Sequence, residues 1–168
     1  MLSSLKTLWK SHSIGILTKI RFLKSLVWPV VSYACESWTL KSTDEDRIKS
    51  FEMKAFRQIL RVTWTNKRTN DWVLRKAGTE PFLLQSVKKR KLSYYGHVLR
   101  KEGNCVEKEI MQGTTSGQRR RGRPRTRWQD NITKWTGLTG DRLLRSVEDK
   151  RQWRKIIHEA ANPRIEDG

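Results

Sequence analysis

At 168 residues the chain is long enough for one hydrophobic core or for two small helical units. It contains 36 Lys and Arg against 17 Asp and Glu, a net charge of +19, and only 36% of its residues are hydrophobic. A chain this basic repels itself in isolation, so we expect it to bind a polyanion: nucleic acid, an anionic membrane or an acidic protein.

Two features of the sequence argue against membranes and secretion. The longest apolar run, residues 26–34, is interrupted by Pro29 and is too short to span a bilayer, and no signal-peptide pattern is present. Cys35 and Cys105 lie far apart without a second pair, so they indicate no disulfide framework. We therefore expect a nuclear or cytoplasmic protein that is not secreted and does not bind membranes.

Helical periodicity dominates the first third of the chain. Residues 17–38 form one long segment, which Pro29 must kink or split because proline lacks an amide donor. Ser42 and Glu45 have the S-x-x-E spacing of a capping box. This spacing predicts a helix start, and the apolar residues up to Leu60 fall on one helical face.

Two further helices are predicted in the middle of the chain. Thr69 or Asn70 can cap a short helix that should stop at Gly78. Pro81 suits the first turn of a longer helix that runs to about Arg100. The apolar residues of this longer helix have helical spacing, and we expect them to face inward: Leu84, Val87, Leu92, Tyr95 and Val98.

The pattern breaks at residues 113–127, which are Gly, Thr, Ser, Gln and Arg with almost no apolar side chains. Helical spacing resumes at Trp128, and a last helix is predicted from about Asp141 to Ala161. No series of alternating strands is visible, so the sequence predicts an all-α protein of small helical bundles with a basic, non-helical loop. The predicted segments are residues 1–64, 65–112, the Arg-rich loop 113–127 and 128–168.

Basic residues are concentrated in one quarter of the sequence. Residues 86–127 contain thirteen Lys and Arg against three Glu, a local charge of +10 that is over half of the net charge. Residues 88–91 circle nearly a full helical turn, so some of them must face solvent or phosphate. Such a run can simply keep a helix soluble, but solubility alone rarely requires a field of one sign.

The segment 119–127, with sequence RRRGRPRTR, is the most distinctive basic element. Gly122 and Pro124 keep it from being helical. Three interpretations compete: phosphate contact within a larger nucleic-acid machine, AT-hook-like binding in the minor groove, and a nuclear-import signal. We predict that nucleic acid contacts the following residues: Lys88, Lys89, Arg90, Lys91, His97, Arg100, Arg119, Arg120, Arg121, Arg123, Arg125 and Arg127.

The eight tryptophans allow either core packing or base stacking. Four of them occupy apolar helical positions, for which we predict core packing: Trp28, Trp38, Trp128 and Trp153. Trp64, between two threonines at a helix end, is the expected exposed exception.

Catalytic patterns are missing from the sequence. The three histidines are scattered and have no cysteine partners at metal-ligand spacing. The acidic run 44–46 lies at a helix start, which favours capping over metal binding. No glycine-rich phosphate loop and no serine elbow is present, so we expect no active site, metal or cofactor.

Five short blocks along residues 16–160 match, in order, the motifs of one family. They are Y-A-C-E-S-W at 33–38; R-T-N at 68–70 with Val73 and Leu74; G-H-V-L-R at 96–100; R-G-R-P at 121–124 with Trp128, Asp130 and Ile132; and D-K-x-x-W-R at 149–154. In this arrangement the chain resembles the C-terminal part of a non-LTR retrotransposon reverse transcriptase of the RTE type. Each motif is weak alone, but five in order are specific. Ala34 and Lys150 depart mildly from the family's Gly and Arg.

The resemblance implies the thumb, in residues 1–64, and the basic tail of an RNA-directed DNA polymerase. Such a region would hold template and primer, or target DNA. The F-A-D-D type box with its metal-binding aspartates and the endonuclease domain are not in this sequence. We therefore expect that the chain alone is not an enzyme, and that a parent polymerase's palm and fingers are a further partner.

Two alternatives stay open at this point. One is a stand-alone DNA-binding protein that uses its Arg-Gly-Arg-Pro strip as an AT-hook. The other is a structural protein whose helices only dock onto another protein. The expected partner is RNA or DNA, bound with little sequence preference because phosphate contacts supply the energy.

Overall fold

The structure is a computed structural model that describes residues 6–103, 106–112 and 126–162. These residues form an all-α protein, as predicted, with no strand among them. They divide into an N-terminal unit, residues 6–34 and 42–84, and a C-terminal unit, which holds residues 35–41 and those after 84. The units group residues differently from the four segments drawn along the sequence, whose boundaries remain a prediction.

The N-terminal unit is built from short helices around the long helix α4. Its core includes Trp28, Phe56 and Val73, all buried. Its elements are α1 (Lys6–Lys10), α2 (Ile16–Phe22), a π-helical turn (Leu23–Val27), α3 (Trp28–Val31), α4 (Ser42–Leu60), a 3-10 turn (Trp64–Asn66) and α5 (Asn70–Ala77).

Pro29 shapes the first helical segment through the π turn that precedes it. The Trp28 amide donates to the Leu23 carbonyl five residues earlier, which alters the hydrogen-bond pattern just before the residue that has no amide to donate. The expectation that helical structure continues to Trp38 was wrong. The segment ends at Val31, and Ala34, at a φ of 52°, lies in the left-handed region that a helix does not use.

The starts and stops of α4 and α5 follow the sequence signals. Helix α4 begins at Ser42, as predicted. The Thr69 hydroxyl accepts a hydrogen bond from the Trp72 amide at 3.2 Å, so Thr69 is the cap of α5. Gly78 ends the helix in the left-handed region, at a φ of 63°.

Helix α6 (Leu83–Leu99) begins two residues after Pro81, rather than at it. The buried Glu52 carboxylate of α4 accepts hydrogen bonds from the Phe82 and Leu83 amides, at 2.9 and 3.1 Å, and so satisfies donors at the helix start. Burial raises the pKa of Glu52, although the amides and Lys24 favour its charged form. The five α6 side chains predicted to face inward are all buried.

The C-terminal unit surrounds a second core that contains Leu92, Ile132 and Trp153. The predicted single last helix is two helices, because Asp149 leaves the helical conformation and its carboxylate accepts the Arg151 amide at 2.7 Å. Besides most of α6, the unit contains a 3-10 turn (Cys35–Ser37), α7 (Val106–Gln112), α8 (Trp128–Thr136), α9 (Gly140–Glu148) and α10 (Lys150–Ala161).

Candidate nucleic-acid interface

The glycine of G-H-V-L-R and the tryptophan of D-K-x-x-W-R meet in the C-terminal core. A Cβ at Gly96 would overlap the indole nitrogen of Trp153, so only glycine admits this tryptophan. The same nitrogen donates to the Leu92 carbonyl at 3.0 Å. The two motifs therefore fix how α10 packs on α6.

Arg100 and Trp128, from two motifs, make hydrogen bonds to backbone carbonyls. Arg100 donates to the Val147 carbonyl at 2.8 Å, which uses one of its five N–H donors within the protein. The indole N–H of Trp128 donates to the Glu36 carbonyl at 2.7 Å. These motif residues join distant parts of the C-terminal unit.

Lys91 lies inside the protein and not on its basic surface. Its side chain is fully buried, and its Nζ donates to the Trp38 carbonyl at 2.6 Å and to Asn131 Oδ1 at 2.7 Å. The Trp128 and Trp135 rings lie 4.5 and 5.6 Å from the ammonium, within range of cation–π attraction. Lys91 therefore adds to the inward face of α6, besides the apolar residues that the sequence places there. Burial lowers the pKa of Lys91 to about 8.

The R-T-N block has a comparable structural role in the N-terminal unit. Arg57 of α4 donates to the Arg68 carbonyl and to Asn70 Oδ1, both at 2.9 Å. Thr69, between them, caps α5, and the Arg68 guanidinium lies 5.0 Å from the Trp72 ring. The block therefore organises the connection from α4 to α5.

The other predicted contact residues of α6 have mixed surroundings. Lys88 and Lys89 are half-buried, and Lys88 lies 5.5 Å from the Trp135 ring. Burial raises the pKa of the Cys35 thiol. The exposed Arg90 makes a hydrogen bond to this thiol, which lowers the pKa by a smaller amount. His97 is exposed. Helix α6 thus presents a narrower basic surface than its sequence suggests.

The Arg-rich strip is described only at its end. Arg127 is exposed, and its backbone amide donates to the Asp130 carboxylate at 2.6 Å at the start of α8. The other strip residues predicted to contact nucleic acid lie outside the described residues: Arg119, Arg120, Arg121, Arg123 and Arg125.

Helix α10 carries a basic face that the sequence analysis missed. Five of its exposed residues follow a helical spacing of i, i+1, i+4, i+5 and i+8, so they share one side of the helix. Trp153, Ile156 and Ile157 are packed on the core side. The amphipathic pattern alone could have revealed this face, which consists of Lys150, Arg151, Arg154, Lys155 and His158.

The tryptophans mostly pack, as predicted. Trp28 and Trp153 are buried, and Trp38 and Trp128 are half-buried. The prediction for the side chain of Trp64 lies outside what the structure describes.

Comparison with known proteins gives one informative relative. Over 120 residues the chain is 28% identical to a Caenorhabditis elegans protein named "Putative uncharacterized transposon-derived protein". The match covers 69% of this chain but only 43% of that relative. This similarity supports a transposon-related origin for the chain. No family model and no solved structure matches.

The described residues hold neither a metal-binding cluster nor a helix that could span a membrane. Asp44 and Asp46, in the acidic run considered for metal binding, pair with Arg47 and Lys49 at 3.4 and 3.2 Å on the surface of α4. Across residues 6–103, 106–112 and 126–162, no group of three or more His, Cys, Asp or Glu is placed to hold a metal ion. Within the same ranges, no helix has the length and apolar character needed to cross a bilayer.

Proposed function

We propose that this chain is a nucleic-acid-binding region of a transposon-encoded protein, and specifically the thumb and basic tail of a non-LTR retrotransposon reverse transcriptase. It holds template and primer, or target DNA, through phosphate contacts. The observation that carries the proposal is the basic face of α10, in which four exposed Lys and Arg side chains and His158 share one side of a helix that packs on the core.

Several properties of that face suit phosphate binding. Its opposite side is anchored by Trp153, so the charged side chains project from a fixed support. The helix contains one acidic residue, Glu159, among its twelve. Lys and Arg at this spacing neutralise backbone charge without contacting base edges, which predicts binding to RNA and DNA with little sequence preference.

The resemblance to the reverse transcriptase gains support from the packing of its motifs. The described blocks supply glycine–tryptophan packing, helix caps and hydrogen bonds to carbonyls rather than a reaction centre. Such roles suit a thumb and tail that support a polymerase. On this proposal the chain alone does not polymerise, and the metal-binding aspartates belong to the palm of a parent protein.

The test removes the α10 face. We expect Lys150→Gln, Arg151→Gln, Arg154→Gln and Lys155→Gln together to weaken binding of a mixed-sequence duplex by about tenfold or more, or about 1.4 kcal/mol, at low salt. Fluorescence anisotropy measures the affinity, and circular dichroism checks that helix content is unchanged.

A matched control removes the same charge from the N-terminal unit. Four exposed residues there are replaced by Gln: Arg21, Lys54, Arg75 and Lys76. We expect a loss below about threefold, because general electrostatic attraction is weaker than direct phosphate contact. Equal losses in the two variants would contradict an interface on α10.

A further inference from the structure

A cleft in the C-terminal unit is lined in part by α10, the helix that carries the basic face. Its volume is about 660 Å³, within the range of small-molecule binding sites. Three helices contribute to it: Trp135 and Thr136 come from α8, Arg142, Arg145 and Ser146 from α9, and Gln152, Ile156, Glu159 and Ala160 from α10, with Leu138 between α8 and α9.

The lining of the cleft combines apolar and polar groups. Trp135, Leu138, Ile156 and Ala160 are half-buried and pack against the core, so they give it a partly apolar surface. The ammonium groups of Lys88 and Lys91 lie within 5.6 Å of the Trp135 ring centroid. A flat aromatic ring beside aliphatic side chains suits a planar, apolar-faced ligand.

Two arginines give the cleft a charge preference. Arg142 and Arg145 are exposed, one helical turn apart on α9. Within the described residues no carboxylate lies within ion-pair distance of either guanidinium. Unpaired guanidiniums at a cleft favour an anionic ligand, and their planar fork suits phosphate.

We infer that this cleft binds an unpaired base of single-stranded nucleic acid, with the flanking phosphates on Arg142 and Arg145. The inference rests on the proposed function and names the form of nucleic acid that the C-terminal unit prefers. A base within a duplex is stacked on both faces, so only an unpaired base can place a face against Trp135.

Two arginines could also attract an acidic peptide, and Glu159 bears on the choice between such a peptide and an unpaired base. The Glu159 carboxylate repels the carboxylates of such a peptide and the phosphates of a strand alike, so it favours a base only through the hydrogen bond that it can accept. The same carboxylate can accept a hydrogen bond from a base amino group, and the Gln152 amide can both donate and accept. The polar groups therefore suit a base better than a peptide.

The experiment measures binding of the whole chain to four probes of matched length. They are a mixed-sequence single strand, a strand in which every base is replaced by an abasic spacer, a duplex, and a peptide of glutamates. We expect the abasic strand to bind about fivefold or more weakly than the natural strand, because the phosphates are the same and only base stacking is lost.

Two variants locate the effect in the cleft. Arg142→Gln with Arg145→Gln is expected to weaken single-strand binding about tenfold and duplex binding less than about threefold. The matched pair Arg151→Gln and Arg154→Gln, on the α10 face, should weaken both forms alike. Trp135→Leu should abolish the difference between natural and abasic strands, with circular dichroism to confirm that the variant folds.

The possible outcomes separate this inference from the proposed function. Equal affinity for natural and abasic strands, with duplex still bound, would overturn the base site alone. If the natural chain binds neither single strands nor duplex, the proposed function is overturned as well. The glutamate peptide and the unlabelled strand can each be used to displace the bound natural strand. If the peptide displaces it equally well, the cleft is assigned to an acidic protein.

Discussion

Helices α6 and α10 contain similar runs of basic residues but place them differently. In α6 four consecutive basic residues, 88–91, wrap around the helix, and one of them, Lys91, is fully buried. In α10 the basic residues alternate with core residues at helical spacing, and all five are exposed. The position of each charge relative to the apolar face, rather than the local charge density, therefore decides which side chains can reach a phosphate.

The packing of α10 on α6 gives the largest expected effect. Gly96→Ala places a Cβ against the Trp153 indole. We expect the free energy of unfolding to fall by at least about 2 kcal/mol, because this overlap costs more than alanine's higher helix propensity contributes. Urea denaturation measures the loss. Gly15→Ala is the control, since it has no neighbour within 4 Å and should cost less than about 1 kcal/mol. Equal stabilities for the two variants would mean that Trp153 does not require a glycine.

The buried lysine of α6 gives a pH-dependent contribution to the free energy of unfolding. The pKa of Lys91 is about 8 in the folded protein, below the usual 10.5, so between these pH values the unfolded chain binds more protons. The free energy of unfolding should therefore rise with pH across this window, by about 1–3 kcal/mol from this residue. Below pH 8 the group is charged in both states and contributes no slope.

Lys91→Met isolates that contribution, because methionine has a similar length and no charge. Denaturation at pH 7.5, 8.5 and 9.5 should show a shallower rise for the variant than for the natural chain. Lys155→Met, at an exposed position of α10, is the control for the loss of one lysine. Parallel pH profiles for all three proteins would show that burial does not shift the pKa of Lys91.

The Arg-rich strip extends the comparison to a third basic region. Replacing Arg121, Arg123, Arg125 and Arg127 with Gln should weaken binding by about tenfold, or about 1.4 kcal/mol, without changing helix content. If the strip contacts phosphates, mixed-sequence and AT-rich duplexes should lose affinity equally in a competition assay. A loss confined to AT-rich duplex would instead assign an AT-hook to this segment.

The sequence predicted those parts of the fold that depend on local signals. The cap at Thr69, the stop at Gly78 and the inward face of α6 follow from short-range patterns, and they are confirmed. For Pro29 the sequence predicted a kink or a split but not the π turn that precedes it, and the cap that Asp149 gives to α10 is a local signal that was missed.

The candidate site was harder to predict from the sequence, since contacts decide which basic residues are available. No local pattern shows that Lys91 donates to Trp38 and Asn131, which are 53 and 40 residues away. Arg100 likewise uses one of its donors on the Val147 carbonyl, 47 residues away. By contrast, the α10 face could have been found from the amphipathic spacing, although the sequence analysis missed it.

The salt dependence of nucleic-acid binding tests the central claim most directly. Each phosphate neutralised on duplex DNA contributes a slope of about −0.9 to the logarithm of the binding constant against the logarithm of salt concentration. If six phosphates are contacted, the slope should be about −5 for the natural chain, and the α10 variant with four glutamines should approach a slope of about −2. A flat dependence, or one that the variant leaves unchanged, would contradict phosphate binding by α10.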